Sequence, residues 1–141
     1  MYGTLADWRS YATERGDSAP TSADDTLATA ALVRASDYIK YQYVSRLLLG
    51  YDEALAVIEP ATYEAANLEL ETPNFWTKTY TPSQQTFLSK VGSISFSHVG
   101  NASKGYATAV PRSTLIEGMF EPYVTPRDGE TSGTYQIRSI G

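Results

Sequence analysis

Apolar residues recur at helical spacing in several stretches of this chain, and the first begins at Leu5. Leu5, Trp8, Tyr11 and Ala12 share one helical face. Thr4 stands where a side-chain oxygen would cap that helix, and Gly16 where a left-handed residue would close it. Asp17-Ser18-Ala19-Pro20-Thr21-Ser22 is small and polar and reads as a loop. The clearest helix follows, capped by Asp24 or Ser22 and running to Tyr43. Its expected buried stripe is Leu27, Ala31, Arg34 or Ala35, Tyr38 and Gln42, flanked by Ala30, Val33 and Ile39. The many alanines permit close approach by a neighbouring helix. Leu47-Leu48-Leu49 reads as a fragment of core, and Gly50-Tyr51-Asp52 as a break.

Glu53 to Ile58 is compatible with a helix but too short to stand alone. Pro60 suits the first position of the next helix, where its missing N–H costs nothing; Ala61, Ala65, Leu68 and Leu70 would follow, with a stop before Pro73. Residues 72–83 form a long loop with an apolar load of Phe75, Trp76 and Tyr80. Ile94-Ser95-Phe96-Ser97 alternates apolar with polar. With Phe87, Val91 and Val99 it predicts one or two strands over 86–99, bent at Gly92. Residues 100–105 read as a flexible linker. Pro111 opens a short helix carrying Leu115, Ile116, Met119, Phe120 and Tyr123, a stripe better explained by burial than by a partner, and Pro126-Arg127-Asp128-Gly129 ends it. The pattern as a whole predicts a mainly α fold. It would be a small helical bundle over 1–125 with a minor β-hairpin or strand pair, and an extended tail over 126–141.

That tail is the segment most suggestive of binding. Thr134 to Ile140 is β-prone but isolated, and a strand without a partner in its own chain suits pairing with another chain. Tyr135, Ile137, Arg138 and Ile140 are the candidate partner-binding residues. Phe75, Trp76, Tyr80 and Phe87 are candidates for contacts with neighbouring subunits or a tail-side component, since aromatic side chains suit surfaces buried against partners.

Composition narrows the chemistry. The chain has 141 residues, enough for one domain with a modest core, and 42% hydrophobic and 19% charged residues favour a soluble globular protein over disorder or a membrane span. No apolar run approaches the ~20 residues of a spanning helix. No basic-then-apolar leader opens the chain. With no cysteine and one histidine, His98, thiolate catalysis, disulfides and two-histidine metal motifs are excluded. His98 lies beside Ser93, Ser95 and Ser97, whose spacing is that of a strand rather than of a triad. Asp24-Asp25 and Asp52-Glu53 suit helix starts better than acid–base catalysis, and Glu69 and Glu71 fall on different helical faces. No phosphate-binding or dinucleotide glycine pattern occurs. The expectation is a non-enzymatic assembly protein without cofactor or metal; a small hydrolase is the least favoured reading. Net charge is −5, and the eleven basic residues are scattered, which disfavours a general nucleic-acid binder. A single-stranded-DNA-binding module remains an alternative, because Phe75, Trp76 and Tyr80 supply stacking aromatics, although Lys78 is the only base beside them.

The order of segments carries a resemblance. Arg34-Ala35-Ser36-Asp37-Tyr38-Ile39 lies in a long helix that follows an aromatic-bearing one, and Ala61-Thr62-Tyr63-Glu64-Ala65-Ala66 comes next. Ser89-Lys90-Val91-Gly92-Ser93-Ile94-Ser95-Phe96 precedes the linker, and Val110-Pro111 opens the last helix with Leu115 and Met119. From Leu5 to Val124 this resembles the small head–tail connector (adaptor) proteins of tailed bacteriophages, some of which are labelled as similar to a primosomal single-strand-DNA-binding protein. Many relatives carry Trp-Pro-Arg after the long helix. Here Leu47-Leu48-Leu49-Gly50-Tyr51 stands in that region and leaves the geometry of 44–59 open. The resemblance implies a virion neck subunit, present in the host cytoplasm during assembly, in a closed homo-oligomeric ring of about twelve copies with head-to-tail interfaces. It implies as partners the portal protein and a neck, stopper or tail component. Double-stranded DNA would pass through the lumen without specific binding.

Overall fold

The computed structural model describes residues 1–77 and 111–126. The β element at 86–99, the linker, His98 and the strand-like tail lie outside them. The described part is mainly helical: α1 (Leu5–Glu14), α2 (Ala19–Ser22), α3 (Asp25–Gln42), a 3₁₀ turn (Val44–Arg46), α4 (Ile58–Glu71), α5 (Thr114–Phe120) and a final 3₁₀ turn (Glu121–Tyr123).

Local chemistry sets most helix ends. Thr4 Oγ1 accepts the Asp7 N–H at 3.1 Å, and Asp24 Oδ2 accepts the Thr26 N–H at 2.9 Å; each satisfies a donor that helix geometry leaves open. At the end of α1, the Asp17 N–H reaches Ala12 O at 2.9 Å and the Gly16 N–H reaches Thr13 O at 3.0 Å, with Gly16 at φ +80°. This paired closure needs the left-handed conformation that glycine adopts without strain. The expected loop at 17–22 instead contains α2. Asp17 Oδ1 accepts the Ala19 N–H at 2.9 Å, and Pro20, fixed near helical φ, occupies the first turn and is buried. Arg9 then ties α1 to this turn, with Nε donating to Pro20 O and Nη2 to Ala23 O, both at 2.9 Å.

The core is the seam between α3 and α4, the most extensive pairing of elements. Ala28, Ala31 and Ala35 on α3 and Ala61, Ala65 and Ala66 on α4 are all buried, so small side chains let the two backbones approach. Leu32, Ile39 and Ile58 fill the seam, Trp8 of α1 closes one side, and Ile116 and Phe120 of α5 are fully buried. The burial expected for the last helix is therefore observed. Trp8 Nε1 donates to Asn67 Oδ1 at 2.8 Å, which satisfies the only polar atom of that buried side chain.

Several expectations need correction. Leu27 is 64% exposed, because the buried arc of α3 centres on Ala28, Leu32, Ala35 and Ile39 and leaves Leu27 at its margin, near the helix start. Arg34 lies outside that arc and Ala35 within it. Pro60 is the third residue of α4, still in the first turn, where a backbone N–H would have no intrahelical partner and its absence costs nothing. Pro111 precedes α5, which Ser113 caps; Leu115 is 52% exposed; and the helical stretch is over by Tyr123, where Val124 turns to extended backbone. Leu47-Leu48-Leu49 is not core, since Leu48 and Leu49 are exposed.

Candidate interaction surface

The aromatic segment after α4 divides sharply. Glu69, 1% exposed on the inner face of α4, accepts the Asn74 N–H at 2.7 Å on Oε1 and the Trp76 N–H at 3.3 Å on Oε2. Arg34 Nη1 lies 3.3 Å from Oε1. Asn74 sits at φ +68°, a conformation asparagine tolerates better than most residues, and this tight bend folds the chain back on the helices. Trp76 is thereby laid face to face on Tyr38 of α3, with centroids 3.8 Å apart and planes 20° apart, and its indole N–H donates to Ala65 O at 2.8 Å. At 8% exposure Trp76 is part of the core of its own chain. Phe75 is half-buried and meets the Trp76 ring edge-on at 4.6 Å. Tyr80, Phe87, Tyr135, Ile137, Arg138 and Ile140 lie outside the described residues.

The exposed apolar surface lies elsewhere. Leu47 forms an isolated antiparallel bridge with Val124, and the Leu48 N–H donates to Tyr123 O at 2.8 Å. The Tyr51 N–H then returns to Leu48 O at 3.1 Å, closing a four-residue turn with Gly50 at φ +101°. A turn with positive φ at its third position favours glycine there and places its second residue at the tip. That second residue is Leu49, 103% exposed, flanked by Leu48 at 40% and Tyr51 at 44%. Tyr51 meets Tyr123 edge-on at 5.1 Å. The chain thus pins a turn from both sides and presents leucine at its point. Sequence reasoning took three consecutive leucines for core; the signal against it was Gly50, whose turn forbids all three from pointing inward. Leu27, Val33 and Tyr41 add exposed apolar area on α3.

The acidic residues weighed as catalytic candidates have structural positions. Asp24 caps α3, Asp25 pairs with Arg9 at 2.8 Å, Asp52 Oδ1 accepts the Ala54 N–H at 2.8 Å, and Glu69 holds the bend while Glu71 faces solvent. Among the described residues no three acidic or histidine side chains converge as a metal site would require. Burial raises the Tyr11 hydroxyl to about 12, aided by its 2.8 Å hydrogen bond to Glu64, and burial also raises Tyr63.

Compared with protein families, curated proteins and solved structures, the chain matches none of them. No described helix is long and apolar enough to cross a membrane.

Proposed function

We propose that this chain is a structural assembly protein, and specifically a head–tail connector that joins a portal to the next neck or tail component as one subunit of a homo-oligomeric ring. The observation that carries the assembly reading is the Leu48–Tyr51 turn. Leu48, Leu49 and Tyr51 together form an exposed apolar cluster on a turn fixed by main-chain hydrogen bonds, a surface suited to being covered by a neighbouring subunit. The connector reading rests on the order of segments: an aromatic-bearing first helix, a long helix with Tyr38, an alanine-rich helix and a short helix with Met119. The mainly helical fold is compatible with both. The base-stacking alternative is weakened, because Trp76 has its face covered by Tyr38.

The test is assembly of the full chain, followed by sedimentation and negative-stain imaging with and without a portal ring. The expected result is a monomer or weak oligomer alone and ordered ring density on the portal. Leu49→Asp should weaken that association at least tenfold while shifting stability by less than about 0.5 kcal/mol, as for other exposed positions. A monomer at every concentration whose portal binding survives both Leu49→Asp and removal of residues 127–141 would overturn the proposal.

A further inference from the structure

The described residues stop at Thr77 and resume at Pro111, and one side chain reaches the residues beside both points. Tyr38, 6% exposed on α3, stacks its ring on Trp76 at the outgoing end, and its hydroxyl donates to Pro111 O at 3.1 Å at the returning end. Each end has a second attachment. Trp76 is held by Ala65 O and by the Glu69 carboxylate. The returning end is held through Tyr43, whose ring stacks on Phe120 at 4.5 Å and whose hydroxyl donates to Glu117 Oε1. The Tyr38 and Tyr43 hydroxyls are 3.2 Å apart, so the two attachments meet.

The Tyr43 hydroxyl donates to the Glu117 carboxylate, and the Tyr38 hydroxyl beside it donates to Pro111 O. Removing the Tyr38 hydroxyl takes this donor from Pro111 O, whereas the ring that covers Trp76 stays in place.

We infer that Tyr38 is a pin that makes the segment at Trp76 and the segment from Pro111 into α5 open and close as one unit, separately from the α3–α4 seam. Whatever displaces Trp76 then also releases Pro111 and α5, and a change at α5 is felt at residue 76. This coupling stands on contacts within the helical part alone and does not depend on the assembly reading.

The experiment is native-state hydrogen exchange by NMR on the full chain at low denaturant. The Trp76 indole N–H and the Glu117 amide, which donates to Ser113 O at 2.9 Å, report the two ends; the Ala35 and Ala65 amides report the seam. In the wild-type chain the two end probes should share one opening equilibrium, more frequent than that of the seam. Tyr38→Phe should accelerate both end probes by the same factor, roughly tenfold, and leave the seam unchanged. Acceleration of Glu117 alone, or different opening equilibria at the two ends of the wild-type chain, would show independent ends and overturn the inference. So would exchange of all four probes in a single global step.

Discussion

Replacing Glu69 by alanine tests whether a buried carboxylate, rather than apolar contact alone, folds the aromatic segment onto the helices. The Asn74 N–H bond, short and charge-assisted, is worth about 1.5–3 kcal/mol, and the longer Trp76 N–H bond about 1 kcal/mol. Arg34 adds little, about 0.5 kcal/mol, because its side chain is 44% exposed and water replaces the lost partner. The sum is a loss of about 3–4.5 kcal/mol, large because two backbone donors are left without an acceptor beside a buried seam. Glu69→Gln keeps one carbonyl oxygen for Asn74 but turns an N–H₂ group toward the Trp76 N–H, so it should lose about 1–2 kcal/mol. Arg34→Met should cost less than about 1 kcal/mol. The assay is urea unfolding followed by tryptophan fluorescence and far-ultraviolet circular dichroism. With a slope of roughly 1–1.5 kcal/mol per molar, Glu69→Ala should lower the midpoint by about 2–4.5 M. If Glu69→Ala lies within about 1 kcal/mol of the wild-type chain, or if glutamine costs as much as alanine, the carboxylate does not hold the segment.

Two further outcomes follow from the packing around Tyr63 and Tyr11. Gly3→Ala should destabilise the chain by about 1–3 kcal/mol, read as a fall in thermal midpoint: Gly3 sits at φ +75°, and an added Cβ would come within 2.3 Å of the Tyr63 hydroxyl oxygen. The Tyr11 hydroxyl keeps its proton in the folded chain up to about pH 12, while in the unfolded chain it loses it near pH 10, so the folded state binds more protons between these values. Its contribution to stability is complete below pH 10 and is lost as pH rises toward 12, and Tyr11→Phe should flatten that part of a stability–pH profile measured by denaturant midpoint.

The helices and their ends were legible in the sequence because the forces that set them are local. Thr4 and Asp24 cap through donors two or three residues ahead, Gly16 closes α1 through its own φ, and α4 ends before Pro73. The alanines that line α3 and α4 announced a close seam before its partner was known. Asp17 and Pro20 carried the signals of a helix start, which the small polar composition around them hid.

What tertiary structure decided was which of several apolar surfaces would be covered. Leu27 and Ala28 are neighbours in sequence, yet only Ala28 meets another helix, because coverage depends on where α4 lies and not on side-chain hydropathy. Leu49 is apolar and exposed while Glu69 is charged and buried; the first is lifted by a turn that Gly50 and the Leu47–Val124 bridge define, the second is drawn inward by N–H groups of a segment that folds back. Trp76, expected at a contact between chains, instead covers Tyr38 of its own. Each of these outcomes rests on a meeting of distant residues, such as 38 with 76 and 111, and periodicity along a single segment carries no information about such meetings.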